Sequence, residues 1–260
     1  MENVNWKSMI ESFDDRRDII IPGRAEETVL FSVHQFIQIA RDAIQQHDVF
    51  TVALSGGQTP HAIFKELSKP SYHQALDWSK VKCFWSDERS VPPDHPDNNY
   101  SSAMQAGLAS LPLLPKHIFR MPAEKDIEEN AHTYERLIRK EVPSLQFDLI
   151  MLGMGDDGHT ASLFPLTHGL HTKDRLVIAN YVPQKNTWRM SLTYECIHMA
   201  KNICIYVMGA KKASMVVTVL LGPYDPDQFP VQRIGTPSHK ALWILDQEAA
   251  AKLVETMKKP

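Results

Sequence analysis

Residues 153–165 read GMGDDGHTASLFP, and within them Asp157 and His159 stand two positions apart among three glycines. Histidine is the side chain whose ordinary pKa lets it take and return a proton near neutrality, and a neighbouring carboxylate can orient its ring. Asp157 and His159 are therefore a candidate catalytic pair, with Gly153 and Gly155 allowing backbone to approach a ligand and Gly158 a sharp turn between the two. A second stretch, Ser55-Gly56-Gly57-Gln58-Thr59-Pro60, permits a tight turn in which Thr59 caps a helix and Pro60 suits its first turn. Free N–H groups at that helix N-terminus would cradle an anion, of which phosphate is the natural choice. In the third, Asp87-Glu88-Arg89, a carboxylate stands close to a guanidinium whose planar fork can hold an oxyanion or sugar oxygens. Arg189 and Lys211 are two further cations able to complete a dianion site with the Ser55 loop. Taken singly, each group has a plainer reading: an ordinary strand-to-helix turn, a structural histidine, a solvated salt-bridged turn, a surface charge.

What unites most of these groups is the element in front of them. Short apolar runs at 49–54, 81–85, 147–152 and 203–208 read as buried strands, and the Ser55 loop, Asp87, the Gly153 stretch and Lys211 follow them in turn. Runs at 176–182 and 241–245 read as further strands. Between them lie segments of helical period: 25–46, with Val29, Val33, Phe36, Ile37, Ala40 and Ile44 on one face, then 60–67, 126–141, 211–221 and 247–258. Buried strands alternating with amphipathic helices predict an α/β fold with a parallel sheet covered on both faces. Ligands collect beyond the carboxyl ends of such strands.

The bulk properties narrow the function. A chain of 260 residues, 43% apolar, supports one substantial core, and a single domain over 1–260 is expected. The net charge of −3 is spread along the chain without a cationic run, which argues against a nucleic-acid partner. No stretch approaches the length of a membrane span, and the polar N-terminus has no signal-peptide core. Cys83, Cys196 and Cys204 are odd in number and form no C-x-x-C pair, so a reduced, cytoplasmic setting is expected. His159, His168 and His171 lack the spacing of a zinc motif and no cysteine cluster accompanies them, so no metal is expected. No G-x-S-x-G elbow is present.

Four blocks, LSGGQTP at 54–60, DERSVPPDHPDNNY at 87–100, GMGDDGHTASLFP at 153–165 and RMSLT at 189–193, together resemble the 6-phosphogluconolactonase family. The resemblance implies a three-layer α/β/α sandwich, Rossmann-like in a modified form and shared with glucosamine-6-phosphate deaminases and ribose-phosphate isomerases. It implies hydrolysis of a sugar-phosphate lactone, 6-phospho-D-glucono-1,5-lactone, in the oxidative pentose phosphate pathway, with no cofactor, by a monomer or weak homo-oligomer. Carried over by motif, Ser55, Gly56, Gly57 and Thr59 would hold the phosphate, with Arg189 and Lys211 neutralising it. His159 would be the general base, Asp157 its orienting partner, Arg89 an oxyanion stabiliser and Asp87 a partner of sugar hydroxyls, while Asp156 falls at the variable, solvent-facing position. Two departures stand out: Asn98 where serine is usual, and Met190-Ser191 where a β-branched residue and threonine are usual. The related deaminases carry a glutamate seven positions after the aspartate of D-G-H, and here that position is Phe164. A deaminase, or a non-catalytic sugar-phosphate sensor, is the alternative; no output module accompanies the loops in this sequence.

Overall fold

The computed structural model describes residues 6–258. In chain order the elements are β1 (Glu11–Ser12), β2 (Arg17–Ile20), α1 (Ala25–His47), β3 (Phe50–Leu54), α2 (Gln58–Leu67), β4 (Val81–Trp85), β5 (Asp87–Arg89), α3 (Asn99–Gln105) and α4 (Ile127–Glu141). There follow β6 (Leu149–Leu152), β7 (Val177–Val182), β8 (Thr187–Leu192), α5 (Tyr194–His198), β9 (Ile203–Val207), α6 (Ala213–Leu221), β10 (Ala241–Leu245) and α7 (Gln247–Met257). Short 3-10 turns link several of them.

Seven strands form one sheet in the order β1-β2-β10-β9-β6-β3-β4, parallel throughout except for the β1–β2 pair at its edge. Strands β3, β6, β9 and β10 are buried at every residue. That is why they read as continuous apolar runs: a parallel strand with helices on both faces has no solvent side to mark with polar residues. Helix α1 starts with Glu26 and Glu27 in its first turn, where they favour the positive end of the dipole, and Glu27 also accepts the Arg24 backbone N–H at 2.7 Å. Beneath β4, Phe84 packs against Phe119 and Phe147 with ring centroids 4.7 and 5.2 Å away.

One expected strand of the parallel sheet lies elsewhere. The run read at 176–182 is β7, which pairs antiparallel with β8, and β8 pairs antiparallel with β5, making a separate three-stranded sheet. The cause is local: Pro183-Gln184-Lys185 forms a one-turn 3-10 helix and Asn186 takes φ of 47°, so the chain reverses into a hairpin where a parallel strand would need a crossover helix. The second sheet carries Asp87, Arg89 and Arg189. Among the described residues no helix is long and apolar enough to cross a membrane.

Candidate active site

At the end of β3 the chain turns at once into α2. Ser55 is buried, and Gly57, with φ of 100° in the region side chains disfavour, is the N-cap of the helix. Thr59, expected to be the cap, is instead the second helical residue and no side chain caps this terminus. The helix begins two residues earlier than its apolar pattern, because the positive φ of glycine closes the turn where a threonine would have needed an extended backbone. The amides of Gln58 and Thr59 lie in the first turn, where no helical carbonyl can accept them, and Pro60 has none. These free amides and the helix dipole attract an anion.

Beside this loop stands β5. Glu88, which as part of a charged triplet reads as a solvated turn, is fully buried, and its carboxylate accepts the backbone N–H groups of Arg89, Asn99 and Tyr100 at 2.7–2.9 Å. It thereby fixes the start of α3 against β5. Burial drives its pKa up to about 7, against the pull of those three donors. The Asn99 side chain donates to the Asp87 backbone carbonyl at 2.9 Å. Asp87 itself is buried, with Ser162 Oγ donating to its Oδ2 at 2.6 Å. Its orientation is therefore set from two sides before any ligand arrives.

Arg89 and Arg189 are direct cross-strand partners of β5 and β8. Like charges directly opposite in an antiparallel pair destabilise it. The Arg89 guanidinium donates to the Asp97 backbone carbonyl at 2.9 Å, whereas the Arg189 side chain has no hydrogen bond or ion pair among the described residues. Burial, and then the charge of Arg89, lower the pKa of Arg189. An oxyanion placed between the two guanidinium groups would remove both penalties. Lys185, at the tip of the β7–β8 hairpin, lines the same space.

The opposite wall is the loop after β6. Asp157 Oδ1 lies 2.5 Å from His159 Nδ1 and also accepts the His159 backbone N–H at 3.1 Å. Burial raises the Asp157 pKa, but the hydrogen bond and charge of His159 outweigh it and leave the carboxyl below its usual value. An ionised Asp157 requires the proton of neutral His159 to sit on Nδ1, so Nε2 carries the free lone pair. Nε2 has no hydrogen-bond partner among the described residues, and His159 lines the cavity. Gly155 is where it is by necessity: a Cβ there would lie 2.0 Å from His159 Nδ1 and 2.6 Å from Asp157 Oδ1.

These walls enclose a cavity of about 480 Å³, within the range of small-ligand sites, lined among others by Ser55, Gly56, Gly57, Asp87, Arg89, His159 and Arg189. Asp157 stands behind His159 and Thr59 in the first turn of α2, neither of them on the lining. Lys211 is exposed and off the lining as well. Its neighbour Lys212 is the lysine that reaches the glycine loop, with Nζ 2.8 Å from the Met154 carbonyl and 2.5 Å from Asp156 Oδ1. Both lysines lie in the 3-10 turn Ala210–Lys212, where adjacent side chains diverge, and a strand-end reading fixes the turn but not which lysine it aims inward. Asp156 is thus largely exposed, as its variable position implied, yet ion-paired. The two departures from the family pattern are also placed: Asn98 caps α3 by accepting the Ser101 N–H at 2.9 Å, and Met190 is buried in the core. Asn99, Ser162 and Lys185 are not legible as site residues in the sequence, because their roles depend on pairing across distant segments. Among the described residues no group of three or more His, Cys, Asp or Glu is placed to hold a metal ion.

A carboxylate-oriented imidazole, able to exchange a proton, thus shares one cavity with a guanidinium pair, able to bind an anion, at the end of a Rossmann-like parallel sheet. A profile of the family described as glucosamine-6-phosphate isomerases/6-phosphogluconolactonase matches residues 24–243. The chain is 39% identical to the 6-phosphogluconolactonase of Chlamydia trachomatis serovar D, over 93% of this chain and 92% of that one. It superposes on the crystal structure of the devB protein with a TM-score of 0.83 at 30% identity, covering 91% of this chain and 99% of that one. The 6-phosphogluconolactonase of Thermotoga maritima gives a TM-score of 0.76 at 25% identity, over 89% and 100% of the two chains. The chain belongs to the glucosamine-6-phosphate isomerase/6-phosphogluconolactonase family.

Proposed function

We propose that this enzyme hydrolyses 6-phospho-D-glucono-1,5-lactone to 6-phospho-D-gluconate, the lactone-opening step of the oxidative pentose phosphate pathway. The observation that carries the mechanism is the free Nε2 of His159, oriented through Nδ1 by Asp157 on a cavity whose other wall holds Arg89 and Arg189. In this reading His159 Nε2 takes a proton from water as the water oxygen bonds to lactone C1. The oxyanion formed at C1 meets the Arg89 guanidinium, a donor held in place before the reaction begins by the Asp97 carbonyl. Collapse of that oxyanion breaks the bond from C1 to the ring oxygen, which recovers the proton from Nε2. The new carboxylic acid then ionises and releases one proton to solution. The phosphate rests on the Ser55-Gly56-Gly57 loop and the first amides of α2, with Arg189 as its principal counter-charge, and Asp87 accepts from sugar hydroxyls. Lys211, exposed and off the cavity lining, is left out of the phosphate site in this reading, and Lys212 serves by holding the glycine loop.

The deaminase alternative needs an additional carboxylate for proton transfer, and the position that carries it in those relatives is Phe164, buried against His159. Proton release from freshly generated lactone tests the proposal. Wild type should exceed spontaneous opening, and His159→Ala should lose about 10²–10⁴ in kcat with little change in KM. A wild-type rate equal to spontaneous opening removes the substrate assignment, and full activity in His159→Ala removes the base assignment alone.

A further inference from the structure

Asp157 holds one nitrogen of His159, but a single hydrogen bond leaves the ring free to rotate about it. Two further contacts stop that rotation. On one side lies Gly155, so close that the ring fills the volume a Cβ would need. On another lies Phe164, whose ring stacks on the imidazole with centroids 3.9 Å apart and planes inclined by 19°. Phe164 is buried at 4% exposure and lines the cavity, so this stacking is packed in place. The segment behind it is anchored too: Thr167 Oγ1 donates to the Phe164 carbonyl at 2.8 Å and receives the Asn180 side-chain N–H at 3.0 Å, tying Phe164 to β7.

We propose that Phe164 is a positioning residue for His159: its ring face holds the imidazole with Nε2 toward the cavity and faces the positive charge the ring gains when it takes the proton of water. The inference rests on the reading of His159 as general base. An aromatic face attracts a cation within about 6 Å of its centroid, and the attraction strengthens when the pair is shielded from water. Neutral imidazole gains less from that face than imidazolium, so the contact is stronger in the state that follows proton transfer than in the resting enzyme. Only such differential contacts raise kcat. Phe164 therefore acts in the proton-transfer step through His159 and has no part in binding the phosphate. The residue also explains in physical terms why the site hydrolyses and does not shuttle protons along a carbon chain: the volume beside the imidazole is filled by a ring with no acid or base to offer.

The test pairs kinetics with a spectroscopic readout. Phe164→Leu removes the flat face, and Phe164→Met serves as the same test at closer volume should the leucine variant fail to fold. Phe164→Tyr keeps the face. In either face-less variant kcat should fall about tenfold while KM stays within about twofold, and Phe164→Tyr should recover most of the loss. Nitrogen-15 relaxation of the His159 ring in the ligand-free protein should report a rigid imidazole in wild type and Phe164→Tyr, and a mobile one in the face-less variants. Wild-type kcat in the face-less variants overturns the proposal, as does a rise in KM without loss of kcat, which would make Phe164 a substrate contact. The NMR arm needs no substrate. If wild type fails to open the lactone yet the rigidity of the His159 ring still depends on Phe164, the substrate reading falls and the positioning role stands; an unchanged ring mobility removes the positioning role whatever the substrate.

Discussion

The carboxylate–imidazole contact decides which nitrogen of His159 is the base. With Asp157 ionised and hydrogen-bonded to Nδ1, the free lone pair is on Nε2. Asp157→Asn preserves size and hydrogen-bonding capacity but can present its amide N–H to Nδ1, which stabilises the tautomer with the proton on Nε2 and removes the base. The variant should fold normally, keep KM, and lose about 10²–10⁴ in kcat. Steady-state kinetics beside a thermal melt would check this, and an unchanged kcat in Asp157→Asn would mean that Asp157 does not set the tautomer. At this scale the sequence was informative, because two residues at fixed short spacing around a glycine must be neighbours. It was uninformative for Lys211 and Lys212, where the choice between adjacent cations depends on the twist of one 3-10 turn.

Elements decide how the two walls meet. The parallel sheet was readable since its central strands, buried on both faces, are uninterrupted apolar runs. The second sheet was not, because β5 is the charged tripeptide Asp87-Glu88-Arg89 and exists only through pairing with β8, far along the chain. Glu88 is the joint of that construction, joining β5 to the start of α3. Its carboxyl is raised from 4.5 to about 7 in the folded protein, so between those values the native state binds more protons than the unfolded chain. Stability from this group is complete at low pH and falls as pH rises through about 7, by a total on the order of 3 kcal/mol. Glu88→Gln cannot ionise and removes this dependence. Urea unfolding at pH 5 and pH 8 should therefore show the variant gaining on wild type as pH rises, and parallel losses would show that burial does not raise Glu88 in this way.

Across the whole molecule, folding forces two arginines from distant segments to face each other, with no carboxylate ion-paired to either among the described residues. The repulsion is a cost of the native state that the unfolded chain, with β5 and β8 apart, does not bear. A bound phosphate group converts it into attraction, so anion binding should stabilise the fold as a unit. At a hundred times its Kd a ligand specific to the native state contributes about 2.7 kcal/mol. For a chain of this size that corresponds to a rise in Tm of roughly 5–10 °C. The product, 6-phosphogluconate, should give such a rise and gluconate, lacking the phosphate, should not. Arg189→Ala separates the two halves of the argument, since it removes the repulsion together with the binding group. Without ligand its Tm should equal or exceed that of wild type, the relieved repulsion being worth up to about 1 kcal/mol, and with 6-phosphogluconate its shift should be largely lost. The same comparison at high salt should shrink the ligand-free difference, since both arginines line the cavity, where salt ions reach and screen them. A destabilised Arg189→Ala protein that still responds fully to 6-phosphogluconate would place the phosphate elsewhere in the cavity and make Arg189 a structural charge.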